Sequence, residues 1–255
     1  MKKIEVLFSP AEFEALPRRN LSQSICIVFD ILRATSTMIT ALANGAAAVI
    51  PVASIEEALA YARPDVLLAG EREGFRITSR LTGSVDFDLG NSPREFTRER
   101  VASKTIVMTT TNGTRALQAC RGASETLAGS FLNLGAVARR IRERNPDELL
   151  LVCSGTNDEA ALEDALAAGG LAELLWPVFG DAHVADSARI ARTLFQQARS
   201  DLPGALSQAR NGQRLLGIAE LRDDVTYCLQ RDIVDLNAHL EVETLRRGVA
   251  LRIAR

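Results

Sequence analysis

Ile25-Cys26-Ile27-Val28-Phe29-Asp30-Ile31-Leu32-Arg33-Ala34-Thr35-Ser36-Thr37 is the stretch on which the fold turns. Five apolar residues run into an acid. An Arg follows three positions later, and a Thr/Ser cluster then opens an amphipathic segment reaching Ala43. That order spells a buried strand, a short turn and a helix N-terminus. In open α/β sheets ligands bind beyond the carboxyl ends of the strands, and a helix N-terminus presents free N–H groups to anions. Asp30 then stands at a strand end as metal ligand or nucleophile, with Arg33 as an anion clamp. The plainer alternative is that Thr35 or Ser36 caps the helix and that Asp30 and Arg33 form a local ion pair.

The same rhythm recurs along the chain. Apolar runs of strand length lie at Ile4–Phe8, Ile25–Phe29, Ala47–Val52, Val66–Ala69, Thr105–Met108, Glu125–Ala128 and Glu148–Cys153. Segments of helical spacing lie between them at Thr35–Ala43, Ile55–Ala62, Gly113–Cys120 and Asn133–Arg144. Near-continuous apolar strands alternating with helices predict an α/β fold, a mostly parallel or mixed sheet covered by helices on both faces. The segment Glu71–Asn91 breaks the rhythm and reads as a long loop or hairpin. After Ser154 the chain becomes helix-rich: Glu159–Trp176, with Gly169-Gly170 as its weak point, Ala185–Ala198, and one or two helices within Leu202–Gly217. Glu220–Cys228 and Ile233–Glu241 read as short helices or late strands. We take residues 1–255 as a single domain, with a helical subdomain at about 157–220 closing over the sheet.

Composition narrows the function classes. The chain has 255 residues, 47% hydrophobic and 24% charged, enough for a sizeable core. A net charge of -2 removes any global electrostatic case for nucleic acid or an anionic membrane. No apolar segment reaches the length of a membrane span. The apolar run after Lys2-Lys3 is cut short by Pro10, too early for a signal-peptide core, so a cytoplasmic location is expected. Cys26, Cys120, Cys153 and Cys228 are widely spaced inside or beside apolar runs, which predicts buried, reduced thiols. A homodimer is the base-rate expectation for such an enzyme.

Five strand ends carry polar residues of one chemical kind. Asp30 and Arg33 form the first. In the second, Gly70 is followed by Glu71, a ligand for a hard cation, and Arg72, a partner for an anion. In the third, Asn91 or Ser92 caps a helix with Pro93 at its first position and Glu95 three residues beyond Ser92. The fourth, Thr109-Thr110-Thr111-Asn112-Gly113-Thr114, offers hydroxyls and N–H groups that would cradle a phosphate, or simply cap a helix. The fifth, Ser154-Gly155-Thr156-Asn157, is donor-rich and leads to Glu159, Glu163 and Asp164. Glu163 and Asp164 are candidate Mg²⁺ ligands, or a polar stripe facing water. Strand ends of a parallel sheet share one edge, which would bring all five to one cleft suited to a small polyanion and a divalent cation.

Several phosphoryl-transfer devices are absent. No Cys is followed six positions later by Arg, and His183 and His239 are too few for a binuclear His/Asp centre. Position 32 is Leu, not the second Asp of the aspartyl-phosphatase pattern. Metal-assisted hydrolysis with oxygen ligands remains, or Asp30 as nucleophile in another scaffold.

Phe29-Asp30-Ile31-Leu32-Arg33-Ala34-Thr35-Ser36, Gly70-Glu71-Arg72, Leu89-Gly90-Asn91-Ser92-Pro93, Thr110-Thr111-Asn112-Gly113-Thr114 and Cys153-Ser154-Gly155, in this order, resemble the 2-phosphosulfolactate phosphatase family. The resemblance spans essentially the whole chain, most densely from Ser24 to Gly170. It implies a Mg²⁺-dependent phosphatase with its own α/β fold. It also implies hydrolysis of (2R)-2-phospho-3-sulfolactate to 3-sulfolactate and phosphate, a step toward coenzyme M, or of a related 2-phosphorylated hydroxy acid. The assignment that follows puts Asp30, Arg33 and Glu71 in catalysis, and Asp30, Glu163 and Asp164 on the metal. Arg72, Asn91, Ser92, Thr110, Thr111, Asn112, Gly113, Thr114 and Ser154 then hold the small anionic phosphoester. Two rival classes stand beside it: a lyase or isomerase acting on phosphorylated hydroxy acids, and a catalytically silent anion-binding module.

Overall fold

The computed structural model describes residues 2–179, 184–243 and 248–253. His183, counted above against a binuclear metal centre, lies outside the described residues. The strands are Lys3–Leu7 (β1), Ser24–Phe29 (β2), Ala48–Pro51 (β3), Val66–Arg72 (β4), Phe75–Arg76 (β5), Thr105–Thr109 (β6), Glu125–Gly129 (β7), Glu148–Cys153 (β8), Ala238–Glu243 (β9) and Gly248–Ile253 (β10). The helices are Pro10–Phe13 (α1), Ala34–Ala43 (α2), Ile55–Leu59 (α3), Ser79–Thr82 (α4), Arg98–Val101 (α5), Gly113–Ala119 (α6), Leu134–Arg144 (α7), Leu162–Phe179 (α8), Asp186–Ala198 (α9), Leu202–Ser207 (α10), Arg210–Leu216 (α11) and Arg222–Cys228 (α12). The expected α/β class is the observed one.

The ten strands form one sheet in the order β1-β8-β2-β7-β9-β10-β3-β6-β4-β5. β1, β8, β2 and β7 are parallel to one another, and so are β3, β6 and β4. Between the two blocks lies the hairpin β9–β10. β9 is antiparallel to β7, β10 to β9, and β10 to β3. Three successive reversals leave the two parallel blocks running in opposite senses. The sequence predicts that the strand ends share one edge, and the opposed blocks do not allow that. Residues that follow strands of both blocks nevertheless line one cleft: Asp30 after β2 and Gly155 after β8 from one, Glu71 of β4 and Thr110, Thr111 and Asn112 after β6 from the other.

Both faces of the central strands are buried, which is why they read as unbroken apolar runs. Ile25, Ile27 and Phe29 of β2 enter one core with Leu149, Leu151, Leu166, Leu171 and Phe195. Cys26 and Val28, on the opposite face, enter a second core with Met38, Leu42, Met108 and Leu117. α2 is buried from Ala34 to Leu42 and touches β7, β9, β10 and β3 as it crosses from one block to the other. The later helices join the first core through Leu202 and Leu206 of α10, Leu215 of α11, and Val225 and Cys228 of α12. All four cysteines are buried and unpaired.

Three local expectations change. α8 begins at Leu162, not Glu159: Gly155 and Asn157 adopt positive φ, and Thr156 and Glu159 exchange backbone hydrogen bonds in a closed turn. Glu159 is thus an exposed turn residue paired with Arg210. The Gly169-Gly170 pair is no weak point. A Cβ on Gly169 would strike the Ala191 carbonyl, and one on Gly170 would press the Phe195 ring, so the pair lets α9 lie close against α8. Residues 93–95 form a single 3₁₀ turn, and Ser92 does not cap it.

Candidate active site

A polar cleft opens where β2, β4, β6 and β8 end. It encloses about 160 Å³ and is lined by Asp30, Arg33, Glu71, Asn91, Thr110, Thr111 and Asn112. Residues 155–157, Glu73, Gly74, Leu32, Asn211, Arg214 and Leu215 complete the wall. All five strand ends reach this region, but only part of each faces the cleft.

Asp30 ends the all-buried strand β2. The Ala34 N–H donates to its Oδ1 at 3.0 Å, so Asp30, and not Thr35 or Ser36, caps α2. Thr35 Oγ1 instead accepts the Asp30 N–H and gives its proton to the Gly129 carbonyl at 2.8 Å, and Ser36 donates to the Ile31 carbonyl. The Asp30 carboxyl is pushed up to about 6, chiefly by burial and then by the charges of Glu71 and Glu163, against the hydrogen bonds from Ala34 and Ser154. Gly113, at the start of α6, lies against this carboxylate: a Cβ there would come within 2.5 Å of Asp30 Oδ2. Gly113 is thus required by close approach, and Thr114, fully buried, turns its hydroxyl back to donate to the Thr110 carbonyl.

Asp164 lies beneath Asp30 and is saturated. Its Oδ1 accepts the Ile31 N–H at 2.8 Å, and its Oδ2 accepts the Gly155 N–H and the Ser154 hydroxyl, both at 3.1 Å. Burial, with the charges of Asp30 and Glu163, drives its carboxyl well above the usual range. Asp164 and Ser154 therefore tie the ends of β2 and β8 together under the cleft floor. Glu163 is buried, raised by desolvation, and accepts Asn211 Nδ2 at 2.7 Å. The expected metal trio Asp30, Glu163 and Asp164 feels its mutual charge, yet among the described residues no three His, Cys, Asp or Glu gather as a metal-holding group.

Arg33 is 3% exposed, and it does not pair with Asp30. Its Nη1 donates to Asp224 Oδ2 at 2.6 Å, and its Nη2 to the Gly74 carbonyl at 2.7 Å. Asp224, fully buried on α12, also accepts the Ser92 hydroxyl at 2.7 Å. Ser92 thus supports Arg33 from behind and does not line the cleft. Glu71 is a clasp: Oε1 accepts the Thr111 N–H and hydroxyl at 3.1 and 3.0 Å, and Oε2 accepts the Gly74 N–H at 2.7 Å. Arg72 points away from the cleft, donating to the Glu71 carbonyl and to Thr109 Oγ1. Two amide oxygens of wall residues, Asn91 Oδ1 and Asn112 Oδ1, are buried without a hydrogen-bond partner among the described residues. Asn112 Nδ2 donates to the Gly155 and Asn157 carbonyls, which leaves the side-chain oxygen as the end without a partner.

Asn211, Arg214 and Asp224 escaped the sequence reading. They sit on helices far along the chain from Asp30, without a strand-end pattern around them. The one available sign was Asn211 and Arg214 at i, i+3 spacing, which places both on one helix face.

Comparison with known proteins identifies the family. A family model described as 2-phosphosulpholactate phosphatase matches residues 11–241. A protein of Thermotoga petrophila is 40% identical over 223 residues, covering 88% of this chain and 89% of its own length. One from Gloeobacter violaceus is 43% identical over 212 residues, covering 82% and 84%. One from Clostridium acetobutylicum is 35% identical over 237 residues, covering 92% and 95%. Each of the three bears the name "Probable 2-phosphosulfolactate phosphatase". The family match also runs through β2, β4, β6 and β8, whose ends build the cleft, and the chain belongs to the 2-phosphosulfolactate phosphatase family.

Proposed function

We propose that this chain is a phosphoric monoester hydrolase cleaving (2R)-2-phospho-3-sulfolactate to 3-sulfolactate and phosphate, with Asp30 at the reacting phosphorus and Mg²⁺ as the cofactor. Family membership supports the reaction class. The single observation that carries the site is Asp30, a carboxylate at the cleft floor whose ionisation is moved to about 6. Perturbed carboxylates of this kind mark acid–base and nucleophilic positions. At neutral pH Asp30 is mostly ionised, and it faces the phosphoryl group either as nucleophile or as metal ligand. The chemistry of the wall also fits a hard cation: Asp30 offers a carboxylate, and Asn91 and Asn112 offer buried amide oxygens that no other described residue uses. Mg²⁺ commonly takes only one or two protein carboxylates, with substrate and water completing its shell. Bound there, it would supply Lewis-acid neutralisation of the phosphoryl charge.

The chain's own groups do the rest. Water is consumed, the phosphorus–oxygen ester bond breaks, and the alkoxide on carbon 2 leaves with a proton. Arg33 has Nη1 and Nη2 committed to protein acceptors, so its charge acts from a fixed position. The Thr110 hydroxyl accepts the Thr114 N–H, which leaves its own proton for a ligand oxygen. Phosphate release from 2-phospho-3-sulfolactate, with Mg²⁺ and with excess chelator, tests the reading. Metal-dependent release is expected. A folded protein that releases no phosphate, or converts the substrate with its phosphate retained, overturns it. No described helix is long and apolar enough to cross a membrane, in keeping with the cytoplasmic location and small-molecule substrate we propose.

A further inference from the structure

The cleft carries two guanidinium groups in very different states. Arg33 is buried and neutralised by Asp224. Arg214, on α11, lines the same cleft and makes no ion pair or hydrogen bond among the described residues, although Asp30, Glu71 and Glu73 share the wall. The other arginines around the cleft are taken: Arg72 by Thr109, and Arg210 by Glu159 and the Thr156 carbonyl. Arg214 is also placed with care. A Cβ on Gly74 would lie 3.2 Å from its Nη2, so the guanidinium packs against the β4–β5 turn. One helical turn earlier, Asn211 anchors α11 to Thr156 and Glu163.

We infer that Arg214 is the specificity-determining residue for the sulfonate of the substrate, an inference that rests on the proposed phosphatase reading. The phosphoryl group goes deep, to Asp30. The carboxylate is attached directly to the phosphate-bearing carbon, whereas the sulfonate stands one carbon further out. The outermost acid therefore meets the outermost cation. Arg214 is exposed while Arg33 is 3% exposed, and among the described residues Arg214 has no acceptor to release first. A guanidinium offers five N–H donors in a planar fork, suited to two oxygens of one anionic group.

The test compares two substrates, 2-phospho-3-sulfolactate and 2-phospholactate, which keeps the phosphate and carboxylate but lacks the sulfonate. Arg214→Ala is expected to lower the ratio of their kcat/KM values by about 30-fold, mostly through KM of the sulfonated substrate, the size of a lost charge-assisted contact. Arg214→Lys should give a smaller fall in the same direction, since the charge stays and the fork is lost. Inhibition by 3-sulfolactate should weaken in step with the ratio. Arg192→Ala, distant from the cleft, should leave the ratio at its wild-type value. A ratio within about threefold of wild type in Arg214→Ala, or equal losses on both substrates, overturns the inference while the phosphatase reading stands. Wild-type protein that releases phosphate from neither substrate removes both.

Discussion

The two parallel blocks of the sheet meet in one cleft and bring opposite chemistry to it. The block of β1, β8, β2 and β7 delivers acids, Asp30 at the surface of the floor and Asp164 beneath it, both raised by burial. The block of β3, β6 and β4 delivers hydroxyls, amides and one acid, Glu71, whose two oxygens already take three hydrogen bonds. On the first side the carboxyls are lifted by burial and mutual charge; on the second the one carboxylate is tied down by hydrogen bonds, while the amide oxygens of Asn91 and Asn112 have no partner among the described residues. An enzyme needs both. The lifted acids store the reactivity, and the clasped wall keeps its position while the charge moves.

The sharpest way to break the contrast is Asp30→Asn. Activity should fall by about 10³-fold or more, in the range of a lost acid–base or nucleophilic group, as read from kcat/KM. The same variant should be more stable than wild type at pH 7 in metal-free buffer. The folded protein holds the Asp30 proton up to about 6, whereas an unstructured Asp holds it only to 3.8. Asp30's contribution is therefore fully present below about pH 4 and is lost as pH rises to about 6, a loss of at most about 3 kcal/mol. Denaturation midpoints of wild type and variant should converge at pH 4 and separate by pH 7. Parallel curves would show that Asp30 is not strained.

Next in size is Arg33→Ala, expected to cost about 10²-fold in kcat/KM and to leave the buried Asp224 with only the half-exposed Arg94, 3.9 Å away, as a cation, a loss of up to about 3–5 kcal/mol in stability. Arg192→Ala is the control. Arg192 pairs with Glu173 and lies 3.9 Å from the Trp176 ring centroid, away from the cleft. Equal, small effects of the two changes would sink the placement of Arg33. Glu71→Gln sharpens the other side. The amide nitrogen cannot accept the Gly74 N–H, so the β4–β5 turn should loosen, with about a tenfold rise in KM and faster amide exchange at Gly74. An unchanged exchange rate would mean the clasp is unimportant. The smallest expected effect is the acid limb of the profile: wild-type kcat/KM should rise with pH through about 6 as Asp30 ionises. A limb that persists in the residual activity of Asp30→Asn would assign it elsewhere.

The strands of both blocks were legible because each is a short apolar run with both faces covered, and β8 falls at the very residues the pattern named, Glu148–Cys153. Their opposed sense was not legible. It depends on the β9–β10 hairpin, and nothing local to Ala238–Glu243 or Gly248–Ile253 says between which strands it inserts. At the site, Asp30 could be found because its strand points it outward. Arg72 and Ser92 could not be placed, because which way a side chain leaves a strand end depends on partners such as Thr109 and Asp224, remote in sequence. Asp224 itself stands beside Asp223, and only the fold tells the buried acid from its exposed neighbour.

The inserted hairpin has a consequence for how the chain is made. Leu251 pairs with Val49, and His239 with Leu127, so the seam of the sheet is closed by residues translated after all eight other strands. During synthesis β7 and β3 are edge strands with unpaired backbone, the feature that invites strands of other nascent chains. The hairpin covers both edges in one step. The candidate cleft, which is lined from both blocks, is therefore completed only once the hairpin has been made, rather than built up strand by strand.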